Sequence, residues 1–325
     1  MKSSRILAVG MAATVALAAA AHAADITNYP QRPIRLVMPN APGSSNDTLA
    51  RLVAVKLGEA LGQQIVIDNR AGAGGIVGME IGKNAAPDGY TLVGASTAAM
   101  SIAPHIHSKL PYDPIKDYEY ISMFGVTPNV LVVNPSLPPK SVSEFVDWAK
   151  AKGNALNMAS AGTGAQSHLT GAALMVAAGI ASMHVPYKGG GASVAAVVAN
   201  ESQWTITPAP AVMSLVRSGR LRALGHSLPQ RTALLADMPS VGETVKGFKY
   251  SGWNGLLAPR GTPRVILDRV RGALIKASAS PDLKEQFANQ GAVIQTSTPE
   301  DFRGLVQQEI REIAPVVKAA GLKVE

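Results

Sequence analysis

Short apolar runs that end in glycine- or proline-rich loops, each loop followed by a helical pattern, recur from residue 34 onward, and this rhythm constrains the fold more than any other feature. Ile34 to Met38 reads as a buried strand, and the loop from Pro39 to Asn46 opens a helix with Leu49, Leu52, Val53, Leu57 and Leu61 at helical spacing. Ile65 to Ile67 is a second strand, followed by the loop Arg70 to Gly75 and a short helix to about Asn84. Pro87-Asp88-Gly89 marks a turn before a third strand, Thr91 to Gly94. Strands alternating with helices in this way predict a doubly wound α/β fold.

The pattern then repeats. Val130 to Val133 is a strand halted by Asn134-Pro135, and Ser141 with Glu144 three residues on predicts a capping box for a helix burying Val142, Phe145, Val146 and Ala149. Asn157 to Ser160, Met183 to Val185 and Trp204 to Thr207 read as further strands, with a helix from Gln166 to about Ala177. Leu131 to Pro135 and Leu256 to Pro259 are alike, each a strand stopped by proline before a helix, and could be two strands crossing between lobes. The last helix, about Pro299 to Ala319, puts Phe302, Leu305, Val306, Ile310, Ile313, Val316 and Val317 on one face.

The first residues have the form of a secretory leader. Lys2 and Arg5 precede an apolar run, Ile6 to Ala20, and Ala21-His22-Ala23 supplies small residues at a cleavage site. The run is too short for a membrane span. Residues 1–23 are therefore expected to be removed, leaving Ala24 first and the product in the periplasm. The chain has no cysteine, which excludes disulfides, thiol nucleophiles and thiolate metal sites. Its net charge of +8 is dispersed, with no basic stripe for nucleic acid.

Three loops sit where α/β sheets place ligands, between a strand's carboxyl end and a helix start. The first, Pro39 to Asp47, offers Gly43, Ser44, Ser45 and Asn46 to an anion, or is an ordinary turn capped by Asn46 or Asp47. The second, Gly72-Ala73-Gly74-Gly75, lacks the third glycine of a dinucleotide fingerprint and the lysine context of a P-loop, and suits an anion nest. The third, Ser160 to His168, carries Gly162, Thr163, Gly164 and Ser167. Catalytic patterns are weak. Gly225-His226-Ser227-Leu228-Pro229 has proline where a nucleophile elbow needs glycine. His105 and His107 could share a strand face but lack a third metal ligand, and no paired carboxylates mark a cleft. No catalytic residue, metal or cofactor is expected.

Taken together, Tyr29-Pro30, Pro33-Ile34-Arg35, Ala41-Pro42-Gly43, Asn69 to Gly75, Pro87 to Leu92, Leu110 to Pro114, His184 to Gly189, Leu221 to Leu224 and Trp253 to Pro263 resemble the Bug-type (tripartite tricarboxylate transporter) periplasmic solute-binding proteins. The resemblance implies a two-lobed type II periplasmic-binding-protein fold, with a cleft between αβ lobes joined by crossing strands. Residues 24–126 and 226–325 would form lobe 1 and residues 127–225 lobe 2. It implies a monomer that captures a small di-, tri- or aromatic carboxylate and delivers it to a permease with a large and a small membrane subunit. A sensing subunit for a receptor kinase is the alternative, and a cleft hydrolase a weaker one. The residues it places around the ligand are Ala41, Gly43, Ser44, Ser45, Ala73, Gly74, Ser96 and Thr97 on one side, and Gly162, Thr163 and Thr207 on the other; Asn40 and Asn46 of the first loop are expected to join them. The chain departs from the family pattern at Asn40, Ser44, Ala161, Thr163 and the segment Trp204 to Pro210.

Overall fold

The computed structural model describes residues 28–235 and 238–319; the leader expected at residues 1–23 lies outside them. In the first lobe, β1 (Ile34–Met38) pairs in parallel with β2 (Ile65–Asn69) and β3 (Thr91–Ser96). Beyond β3 the sheet turns antiparallel. β9 (Ser251–Pro259) inserts between β3 and the first half of β4 (Tyr118–Val133). The second half of β4 belongs to the other lobe, where β7 (Trp204–Pro208) flanks one side and β8 (Arg222–His226) also pairs with it. β7 continues to β5 (Asn157–Ser160) and β6 (Met183–Pro186), giving the order β2-β1-β3-β9-β4-β7-β5-β6 with β8 beside β4.

Two lobes therefore share one strand. β4 leaves the first lobe at Thr127 to Asn129, where its partner changes from β9 to β7 and β8. The return crossing falls at Tyr250 to Gly252, later than the boundary at residue 226 expected from sequence. β8 ends at His226 while still paired with the second-lobe half of β4, and Val241, Val245 and Phe248 bury into the same cluster as Phe145 and Trp204. Residues 226–235 and 238–250 thus pack with the second lobe.

Local chemistry explains the helices that matter to the cleft. α1 (Ser45–Leu61) buries Leu49, Val53, Leu57 and Leu61 against the first-lobe sheet and stops at Gly62, whose φ of 73° is the left-handed geometry a C-terminal glycine supplies. Its N-cap is Ser44, accepting from Asp47 N, rather than Asn46 or Asp47. α2 (Ile76–Lys83) follows β2, and a turn of π-helix, Ala98–Ile102, runs into α3 (Ala103–Ile106) after β3. In the second lobe, α4 (Val142–Lys152) has half of the expected capping box: Ser141 accepts from Glu144 N, while the Glu144 carboxylate takes Lys140 N. α5 (Gln166–Ala178) and α6 (Gly190–Val198) follow β5 and β6, and the short α7 (Met213–Arg217) and α8 (Val241–Thr244) complete the lobe.

The chain closes with α9 (Arg264–Ser278), α10 (Pro281–Asn289) and α11 (Pro299–Ala319). α9 and α10 cover the α1 face of the first sheet, where Leu36, Leu49, Phe124, Val270 and Phe287 form the core. α11 covers the opposite face with Phe302 and Val306, among Val93, Tyr118 and Trp253. Its last turns reach Ile102, Ile106 and the second-lobe Leu169 through Ile313, Val316 and Val317. Burying a ring such as Phe302, which lies over Gly255 where any Cβ would collide with it, stabilises the fold by about 2–3 kcal/mol.

Candidate functional site

A cavity of about 590 Å³ lies between the lobes. Its first-lobe wall is the turn between β1 and α1, the turn between β2 and α2, and the end of β3. Its second-lobe wall is the loop after β5, the loop after β6 and the end of β7. All of these are carboxyl ends of strands, where open α/β sheets place ligands.

The lobes touch around this cavity. Ser45 donates its hydroxyl to the Pro208 carbonyl at 3.3 Å. A Cβ on Gly189 would come within 3.0 Å of the Ala41 methyl, and one on Gly74 within 3.6 Å of the Thr163 carbonyl. A side chain at Gly164 would collide with Ile106. Small residues at these points are what allow the two walls to approach. Ala73 pays with strain: its φ of 46° is left-handed, which a non-glycine residue adopts at a cost of about 1 kcal/mol or more.

Of the residues expected around a ligand, Asn40, Ala41, Ser44, Ser45, Asn46, Ala73, Gly74 and Ser96 line the cavity from the first lobe, and Gly162, Thr163 and Thr207 from the second. Gly43 and Thr97 do not. The Gly43 amide donates to Asp47 Oδ2 at 2.9 Å, and Thr97 Oγ1 accepts from Trp253 N at 3.2 Å. Asp47 organises the first loop from below. It also accepts from Asn69 Nδ2 at 2.8 Å and Arg51 Nε at 3.0 Å. Burial opposes its charge, but these hydrogen bonds outweigh that and hold its carboxyl below the usual range.

The second-lobe loop is held by its own network. Ala161 N donates to Ser167 Oγ, Gly162 N to Ser160 Oγ, and Gly164 N to His168 Nδ1. Ser160 Oγ also lies 2.6 Å from His184 Nε2. Those amides are therefore committed to positioning the loop, a departure from the expectation that helix-start N–H groups face the ligand directly. Burial, and then the neighbouring His184, push His168 down to about 4, and burial also lowers His184, so both rings serve as neutral hydrogen-bonding groups near pH 7.

Several lining residues carried no sequence signal. Gln166, the first residue of α5, borders the cavity and donates from Nε2 to Asn129 Oδ1 at 3.1 Å. Asn129 is fully buried at the outward crossing and donates in turn to the Tyr250 carbonyl at the return crossing. One side chain thus joins the cavity to both strands that link the lobes. His107 and Lys188 also line the cavity. Among the described residues they are its only ionisable side chains apart from the phenol of Tyr187, and no acid lines it. Only capping at the helix start could have flagged Gln166; the other two depend on tertiary placement.

The weak catalytic patterns dissolve in the structure. Ser227 is buried; its hydroxyl is engaged by the Tyr250 carbonyl and by Asn129 N, and it does not line the cavity. His105 lies in α3 rather than on a strand, with Nε2 2.6 Å from the Ile310 carbonyl. Among the described residues there is no group of three or more His, Asp or Glu side chains able to hold a metal ion.

Two α/β lobes sharing a crossing strand on either side of an open cleft define a periplasmic binding protein. The family model for the tripartite tricarboxylate transporter family receptor matches residues 49–322, and the chain belongs to that family. Protein BugT of Bordetella pertussis is 34% identical over 327 residues, covering 100% of both chains. The R. palustris protein Rpa4515, solved with adipate, superposes with a TM-score of 0.89 at 28% identity over 91% of this chain and 100% of that one. MatC from Rhodopseudomonas palustris, solved with malate, gives 0.83 at 31% identity over 89% of this chain and 100% of that one. The family and its two-lobed fold agree with the sequence reading.

Proposed function

We propose that this protein captures a small carboxylate in the periplasm and presents it, as a monomer, to the large and small membrane subunits of a tripartite transporter. It performs no catalysis. The observation that carries this reading is the charge of the cavity wall. Among the described residues Asp and Glu are absent from it, Lys188 stands at its exposed rim, and hydroxyl, amide and backbone groups line much of the rest. Such a wall attracts an anion and holds it with neutral donors in place of a buried ion pair, whose desolvation is costly. The volume of about 590 Å³ is in the range of small-molecule sites. The relatives solved with adipate and malate support the same ligand class.

In this reading Asn40, Ala41, Ser44, Ser45, Asn46, Ala73, Gly74 and Ser96 contact the ligand from one lobe, and Gly162, Thr163 and Thr207 from the other. Gly43 and Thr97 shape the walls from behind. Closure about the two crossing strands would bury the bound anion. A thermal-shift screen of mono-, di- and tricarboxylates, aliphatic and aromatic, tests it, because a ligand that binds only the folded state raises the melting temperature. A shift with neutral sugars or cations and none with any carboxylate would sink the proposal.

A further inference from the structure

At and behind the end of β3 lie polar side-chain atoms without hydrogen-bond partners. Ser96 ends β3, lines the cavity and is 3% exposed, yet its hydroxyl has no hydrogen-bond partner. Directly opposite it on β9 is Asn254, 1% exposed, whose Nδ2 and Oδ1 are both without partners. Residues directly opposite in an antiparallel pair project from the same face, with Cβ atoms about 5 Å apart. Ser96 and Asn254 therefore form one polar patch on the face covered by α1. On the other side of Asn254 its strand partner is Gly125, which offers no side chain to bond with.

Buried polar groups are almost always satisfied, and three unpartnered atoms on one neighbouring pair need an explanation. Ser122 on the adjoining strand, by contrast, donates to the Met123 and Ser297 carbonyls. Of the two residues it is Ser96 that meets the cavity, and a partner supplied there would reach the pair through it. The kind of partner follows from the atoms. A carboxylate only accepts, and would leave Asn254 Oδ1 without a donor. A hydroxyl both donates and accepts, which matches a serine hydroxyl backed by a carboxamide.

Resting on the carboxylate reading above, we propose that Ser96 and Asn254 recognise a hydroxyl substituent on the bound acid, so that the preferred ligands are hydroxycarboxylates. Ser96 makes the contact. Asn254 is a positioning residue that fixes the direction of the Ser96 hydroxyl, directly or through one water, and so sets the preference. A site that hydrogen-bonds a ligand hydroxyl discriminates strongly against the analogue lacking it, because its own polar groups are then left unpaired.

The test is isothermal titration of the full mature chain with matched pairs that differ by one hydroxyl: malate against succinate, and citrate against tricarballylate. The wild-type protein should bind the hydroxylated member of a pair at least about tenfold more tightly. In Ser96→Ala and Asn254→Leu that ratio should fall to near unity, because the hydroxylated member loses its advantage. Asn254→Leu, of similar volume and without the unpaired amide, should also leave the melting temperature of the unliganded protein unchanged or raised. Plain acids bound as well as hydroxylated ones by the wild type, or a ratio unchanged in both variants, would overturn this inference and leave the carboxylate reading intact. Failure of every carboxylate to bind would overturn both.

Discussion

The imidazole rings of His168 and His184 lie stacked, with centroids 3.7 Å apart and planes 7° from parallel. Each ring supports the loop that forms one wall of the cavity, through Gly164 N and Ser160 Oγ respectively. Burial favours the neutral form of both rings. Unfolded, each would take up a proton near pH 6.5.

Stability should therefore depend on pH in a definite window. Burial and the second ring hold His168 neutral down to about 4, so between pH 6.5 and that value the unfolded chain binds more protons. Stability is fully present above about pH 6.5 and is lost as pH falls toward about 4, by on the order of 3 kcal/mol. Urea denaturation at a series of pH values should show the loss, and His168→Asn, which keeps an acceptor for Gly164 N without the titration, should show a shallower one. Equal slopes in the two proteins would contradict the assignment.

Gln166→Leu is expected to weaken both fold and binding. It leaves the buried Asn129 Oδ1 without its donor, at a cost of about 1–3 kcal/mol. It also removes the side chain that ties the cavity wall to the crossing strands. Chemical denaturation should report the first effect and titration with a carboxylate the second; unchanged ligand affinity would mean that Gln166 acts on stability alone.

Lys188 is exposed at the rim and should act on capture more than on retention. Lys188→Glu should slow association with an anionic ligand several-fold at low salt, with little change in the dissociation rate, and the difference should shrink as salt screens the charge. Stopped-flow fluorescence at two ionic strengths measures both. A change confined to the dissociation rate would place Lys188 against the bound ligand instead.

Asp47→Asn keeps the shape of the first-lobe turn but replaces an ionised acceptor that serves Gly43 N, Asn69 and Arg51. The loss should be about 1.5–3 kcal/mol, since hydrogen bonds to a charged group are the stronger kind. The depressed carboxyl adds a second signature: its stabilisation, complete above the normal carboxylate range, should fade as pH falls below it in the wild type and be absent in the variant. Paired denaturation curves at neutral and acid pH provide the check.

Much of the fold is legible in the sequence because its signals are local. Apolar strands, glycine turns and helical spacing mark β1 to β3 and their helices, and the same cues recur around β5 and α5. The length of β4 is not legible: only Val130 to Val133 reads as a strand, although β4 begins at Tyr118 and runs on through Pro128. The return crossing is not legible because its approach carries only short elements, a 3-10 turn at Ala233–Leu235 and the four-residue α8, too short to show a period. In the site, the loops are visible as glycine clusters, whereas His107, Lys188 and Asn254 owe their positions to packing between distant segments. Ser44 rather than Asn46 caps α1, a choice among neighbouring polar residues that composition alone does not make.

The late arrival of β9 between β3 and β4 has a consequence for how the nascent chain matures. Residues 129–250 carry every strand of the second lobe without interruption, so that half is complete while the polypeptide is still lengthening. The first half begins sooner and finishes last. Until β9 emerges, β3 and β4 each present an open edge, the feature that invites pairing with other chains. Chaperone demand and aggregation during biogenesis should therefore concentrate on the half that starts the chain, and truncations after about residue 250 should be worse tolerated than their distance from the cavity suggests.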